Sequence, residues 1–190
     1  MRKITLLVTL LAGVAATQGH AQAPAQSDDA ALIASAMQAA PKSIAEGATI
    51  IAMGPDHKIR TIREGNNGWT CMPDTPTTQA PDPMCMDANA REWAHAWLGR
   101  KEPPAGKIGF IYMLAGDTGA SNIDPYAEKR TSDNQWIAEG PHIMVLLPDP
   151  AQLDAPPTDP NQGGPYVMWK GTPYAHIMVP VGERPPAANR

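Results

Sequence analysis

Ala48-Thr-Ile-Ile-Ala-Met-Gly-Pro-Asp-His-Lys-Ile-Arg-Thr-Ile-Arg-Glu-Gly-Asn-Asn-Gly-Trp-Thr-Cys-Met72 alternates strand-type runs with clusters of turn formers. Ala48 to Met53 and Lys58 to Glu64 are short runs rich in Ile and Thr, the composition of strands. Gly54-Pro-Asp-His57 and Gly65-Asn-Asn-Gly68 are clusters of turn formers, and Trp69 to Met72 opens a third strand. Strands joined by turns this short pair antiparallel, so the stretch predicts a β-meander.

N-terminal to this stretch, Ser27 can cap a helix from Asp28 to about Ala40, with Asp28 and Asp29 in its first turn and Pro41 as its end. Leu32, Ile33, Ala36, Met37 and Ala40 share one face of it. Downstream, Asp87 can cap a second helix from Ala88 to Leu98 with Gly99 as its stop. Ala90, Trp93, Ala94 and Trp97 form its apolar stripe. Further strands are expected at Lys107 to Leu114, Gln135 to Ala138, Pro141 to Leu147, Tyr166 to Lys170 and Ala175 to Val181. The expected fold is α+β, an antiparallel sheet with two main helices packed on it and long Pro/Gly-rich loops. Asp149 to Pro165 is a long loop rich in Pro, Asp and Gly.

The N-terminus has the pattern of a signal peptide: Arg2 and Lys3, then an uncharged apolar run from Ile4 to Ala16, then small residues. Thirteen apolar residues are too few to span a bilayer, which takes about 20. Gly19-His20-Ala21 places small residues correctly for cleavage after Ala21, whereas a cut after Ala23 would leave Pro24 beside the scissile bond. The expected organisation is therefore a signal peptide at 1–21, one domain at 22–181 and a disordered tail at 182–190. The expected location is periplasmic or secreted.

The whole chain has 15 Lys and Arg against 19 Asp and Glu. Losing Arg2 and Lys3 leaves 13 against 19, a net charge of −6. Scattered basic residues on a mildly acidic chain argue against nucleic acid and anionic membranes as partners. No later segment is long and apolar enough for stable membrane insertion. Cys71 and Cys85 are the only cysteines, and in an oxidising compartment they should form a disulfide. Their spacing is far from the C-x-x-C of a redox pair, although Met72, Met84 and Met86 beside them would suit a soft metal.

One repeat carries chemistry. His142-Ile-Met-Val145 recurs as His176-Ile-Met-Val179, each in an expected strand. Side chains alternate along a strand, so His142 and Met144 share a face, as do His176 and Met178. Pairing of the two strands would gather two imidazoles and two thioethers, with Met168 as a fifth soft group, a set suited to Cu(I). The His-x-Met pair is similar to the ligand motif of periplasmic copper chaperones. Their further methionine spacing is absent, since Ala155 stands eleven residues past Met144. The competing reading is that these residues fill the core.

Asp117-Thr-Gly-Ala-Ser-Asn-Ile-Asp124 is a second candidate site, with Asp117, Ser121, Asn122 and Asp124 as oxygen donors for Ca²⁺, but it lacks the EF-hand spacing. An Asx-type turn followed by a helical turn capped by Asp124 competes with it. Ser121 with His142 or His176 as base and Asp117 or Asp124 as orienter would make a hydrolase, although no G-x-S-x-G elbow surrounds Ser121. His57 falls in a turn and His95 on the second helix, neither placed as a ligand. Trp69, Tyr126 and Tyr166 sit at loop edges and could serve a binding surface.

The stretches around Gly68-Trp-Thr-Cys71, Asp117 to Asn122 and Gly163 to Val181 resemble an uncharacterised family of secreted bacterial proteins. The resemblance implies export and one compact domain, and no catalytic residue. The working expectation is a non-catalytic binding module whose ligand is a small molecule, a metal or an envelope protein. Cu(I) binding is the second reading and secreted hydrolysis the third.

Overall fold

A computed structural model of the chain describes residues 25–54, 58–75 and 78–184, with side chains from residue 29 onward. The expected signal peptide, His57 and residues 185–190 lie outside the described residues.

The opening stretch folds differently from a meander. β1 (Thr49–Met53) and β2 (Ile59–Arg63) form the expected antiparallel hairpin. β3 (Thr70–Met72) then joins the other edge of β1 and runs parallel to it, pairing Thr49 with Thr70 and Ile50 with Cys71. The sheet is therefore mixed rather than antiparallel. Gly65 makes the crossing possible. A Cβ there would lie 2.2 Å from the Ala48 carbonyl carbon and the Thr49 nitrogen, so only glycine lets the chain pass so close over the start of β1. The amide of Asn66 donates to Gly47 O at 2.9 Å and that of Thr49 to Trp69 O at 2.9 Å, which pins the crossing.

β4 (Met84–Met86), β5 (Gly109–Met113), β8 (His142–Leu146), β9 (Tyr166–Met168) and β10 (His176–Pro180) complete an eight-stranded sheet in the order β2-β1-β3-β4-β5-β8-β10-β9. β6 (Ala120–Ser121) and β7 (Trp136–Ile137) pair separately. The long loops hold two 3-10 turns, Pro150–Leu153 and Pro160–Gln162, each begun by an Asp side chain accepting from the backbone.

α1 (Ala25–Ala36) starts before Ser27 and ends well before Pro41, so Ser27 lies inside the helix rather than at its cap. Its end tightens through Gln38 N to Ser35 O and Ala39 N to Ala36 O. A single turn, α2 (Lys42–Ala45), follows. α3 (Ala88–Leu98) has the expected bounds, with Asp87 accepting from the Ala90 amide at 2.7 Å. Its left-handed stop is Arg100 (φ 53°), one residue past Gly99. Lys101 N reaches back to Ala96 O at 2.8 Å, a Schellman-type closure.

The helices cover opposite faces of the sheet. Paired residues share a face, so Ile50, Cys71, Cys85 and Tyr112 look one way and Thr70, Met86 and Ile111 the other. Ala36 and Ala39, from α1 and the turn after it, pack with Ile50, Cys71 and Cys85. The two cysteines are directly opposed across β3 and β4 and form the disulfide. α3 lays Ala90 and Trp93 on Met86, Ile111 and Met113. Gly109 admits its first turn, because a Cβ there would lie 2.8 Å from the Ala90 nitrogen. Among the described residues no helix is long and apolar enough to cross a membrane. At the C-terminal end the chain keeps defined contacts through Arg184, whose guanidinium pairs with Glu139.

Candidate binding cavity

The α3 face of the sheet carries the repeat. β8 and β10 are antiparallel neighbours, with Met144 directly opposite Met178 and His142 opposite Pro180. β5 flanks β8 and sets Met113 opposite His142. β9 flanks β10 and sets Met168 opposite His176. A local two-fold through the Met144–Met178 pair thus relates β5-β8 to β9-β10. The intervening Ile143, Val145, Ile177 and Val179 take the other face, where they are only half-buried.

The expected single convergence of both imidazoles does not form. On β10, His176 is four residues from the partner of His142, about 13 Å along the strands at roughly 3.3 Å per residue. Two groups form instead: His142 with Met113 and Met144, and His176 with Met168 and Met178. Directly opposed residues have Cβ atoms about 5 Å apart, within reach of a shared partner.

Both histidines have no exposed surface. Each Nδ1 bonds the carbonyl two residues back on its own strand, Gly140 O at 2.8 Å for His142 and Tyr174 O at 2.9 Å for His176. A carbonyl only accepts, so Nδ1 carries the hydrogen. Nε2 is then the open nitrogen of each ring, and both Nε2 atoms are buried without a hydrogen-bond partner. Burial pushes the His176 imidazole down to about 4, with His142 adding to the effect and the Tyr174 carbonyl opposing it, so His176 is neutral at pH 7.

These residues floor a cavity of about 1130 Å³. Its walls come from α3, from the 117–130 segment and from residues 78–84. Trp93, Trp97 and Trp169 form one side. Trp169 stacks on Trp93 at 6.0 Å and 9°, and the His176 ring stands edge-on to both. Trp169 has a left-handed backbone (φ 58°), held by its indole N–H on Ser121 O at 2.7 Å and its amide on Asn122 O at 2.8 Å.

At the His142 end lies a charged network. Glu139 is 2% exposed, accepts from the Tyr166 hydroxyl at 3.1 Å and pairs with the Arg184 guanidinium through both carboxylate oxygens. Burial beside Glu139 pushes the Tyr166 phenol far up, and the carboxylate holds the Arg184 guanidinium up. Asp117 accepts from the amides of Glu139 (2.7 Å) and Gly119 (3.0 Å). Burial raises its carboxyl to about 6, against the lowering influence of His142 and those two amides.

The loop candidates resolve into turn chemistry. Ser121 donates to Asn134 O at 2.6 Å and accepts from the amides of Ile123 and Asp124, so its hydroxyl is engaged with backbone rather than with either imidazole. Asp124 accepts from the Tyr126 amide, and Asn122 donates to Thr158 O and Gln135. Asp124 and Pro125 begin a turn and not a helix. Among the described residues no group of three or more His, Cys, Asp or Glu could hold a metal ion. The loop-edge aromatics do not make one surface. Tyr166 is 1% exposed in the core, Trp69 packs on Tyr112 on the α1 face, and Tyr126 lies under Arg100. His95 is exposed on α3.

Met113 and the Glu139–Arg184 network are the parts sequence reasoning missed. Met113 falls on the right parity of its strand, but only the register with β8 sets it opposite His142.

No protein-family model, no curated protein and no solved structure matches this chain.

Proposed function

We propose that this is an exported, non-catalytic binding protein that takes its ligand into the cavity between α3 and the β5-β8-β10-β9 face. The observation that carries the reading is the pair of fully buried imidazole Nε2 atoms without partners on the cavity floor. Leaving a buried acceptor unsatisfied costs about 1–3 kcal/mol, a cost that a bound ligand can offset. The size supports it as well, since small-molecule sites run to about 1,000 Å³ and are mostly apolar with a few polar groups. The hydroxyl of Ser121 is engaged with backbone rather than with either imidazole, which speaks against the hydrolase reading. Export is supported by the N-terminal pattern and by the cross-strand disulfide.

Four of the five tryptophans (Trp93, Trp97, Trp136 and Trp169) line the cavity, so its occupancy should be visible in intrinsic fluorescence. The expected result is saturable tryptophan quenching by an apolar naphthalene dye, at one dye per folded protein. Dye binding that is non-saturable, or seen only with unfolded protein, would sink the reading.

A further inference from the structure

The cavity floor has a chemistry more specific than its walls. Six methionines, at 84, 86, 113, 144, 168 and 178, line the cavity together with His142 and His176. Thioether sulfur and imidazole nitrogen are the ligands of soft metals. Each imidazole is already prepared for coordination. The Nδ1–H bond to a backbone carbonyl fixes ring and tautomer, which is the usual outer support of a metal-bound histidine, and it leaves Nε2 open.

Resting on the binding reading above, we propose that the cavity takes two monovalent soft metal ions, Cu(I) in the exported compartment. His142, Met113 and Met144 hold one, and His176, Met168 and Met178 hold the other. The two groups have the same composition and are built alike. In each, a histidine stands two residues before a methionine on its own strand and directly opposite a methionine on the outer neighbour. Each histidine makes the same bond to the carbonyl two residues back. Chance burial of methionine explains an apolar floor, but it does not explain two matched rings whose buried Nε2 atoms have no partner.

The charge of the ion follows from the charge of the ligands. Thioethers and neutral imidazoles bring no negative charge, and the cost of burying an ion rises with the square of its charge. Thioether sulfur also selects against zinc, whose sites are built from thiolate, imidazole and carboxylate, and in favour of Cu(I). Both cysteines are committed to the disulfide on the opposite face, the buried Glu139 is paired with Arg184, and Asp117 at the His142 end spends its Oδ1 on the Glu139 and Gly119 amides. The aromatic wall at the His176 end suits a cation further, since Trp93 and Trp169 present rings there.

The test is an anaerobic Cu(I) titration of the mature protein against a chromophoric chelator, with Ag(I) as a redox-inert copy. Two equivalents are expected, and one is lost in each of H142A and H176A. M113L and M168L keep volume and fold while removing one sulfur each, so each should weaken one of the two equivalents at least tenfold. They test the proposal even if the alanine variants fail to fold. Absence of Cu(I) binding by folded protein overturns it, as does a single equivalent abolished by either histidine variant, or binding untouched by all four. Zn(II) bound more tightly than Cu(I) also overturns it. In any of these cases the dye titration still reports on the cavity: saturable dye binding without metal binding refutes the ions and leaves the binding reading standing.

Discussion

The two faces of one sheet are packed on different principles. On the α1 face the core is made of small or stiff residues, Ala36, Ala39, Ala48, Ile50 and the disulfide, all without exposed surface. On the α3 face it is made of methionines, tryptophans and histidines around an open volume. Small side chains bring backbones together and leave no room. Long flexible thioethers conform to what is beside them, and here they border an open cavity. On the binding reading we propose, stability rests on one face and recognition on the other, and each prediction below acts on one face alone.

The largest effect belongs to the α1 face. Replacing Cys71 and Cys85 together by Ala opens a loop whose ends are 14 residues apart and should lower unfolding stability by about 3 kcal/mol. Dye binding on the opposite face should survive in the folded fraction. Chemical denaturation with and without dye checks both, and loss of dye binding in the folded variant would break the separation of the faces.

Next comes the charged anchor at the His142 end. Arg184→Met leaves the Glu139 carboxylate buried with the Tyr166 hydroxyl as its remaining side-chain partner. Breaking a buried pair costs about 3–5 kcal/mol, and because the Arg184 side chain is 29% exposed the expected loss is smaller, about 2 kcal/mol. Thermal unfolding measures it, and no loss would mean that the last described residues do not brace this end of the cavity.

Methionine exchanges on the floor should barely register in stability. M113L and M168L conserve volume and should each cost less than about 1.5 kcal/mol. A larger loss would mean that the sulfurs pack like the α1 core and that the contrast between the faces is wrong.

Much of this was legible from residues alone, and the losses have physical reasons. Strand and helix positions follow from local pattern, so α3 with its Asp87 cap and the two His-x-Met strands could be placed. β4 was hidden because Met84-Cys-Met86 closes a proline-rich loop and is too short to show alternation. The parallel placement of β3 turned on Gly65 passing over Ala48, a long-range fit that a Gly-Asn-Asn-Gly sequence shares with any tight turn. For the site, parity showed which side chains share a face. Register, which only pairing sets, showed that the histidines sit at opposite ends of the methionine pair and drew in Met113. The free Nε2 atoms were beyond reach, since a ring's hydrogen bonds depend on the backbone it folds against.

The smallest expected effect is a difference in pH dependence of the metal-free protein, and its sign is determined. Asp117 is raised from 3.8 to about 6 by burial, so the folded state binds its proton more tightly than the unfolded state. Its contribution to stability is complete below 3.8 and is lost as pH rises through about 6. His176 is lowered from 6.5 to about 4, so its contribution is complete above 6.5 and is lost as pH falls through about 4. Between these limits the two slopes oppose each other. Asp117→Asn keeps the oxygen that accepts from the Glu139 and Gly119 amides but removes the titration. Relative to the parent, the variant should therefore gain stability from pH 4.5 to 6.5, on the order of 1 kcal/mol. All other groups titrate in both proteins, so the difference in urea midpoints isolates Asp117. Midpoints that move in parallel would mean that the His142 end of the cavity is wetter than its packing implies.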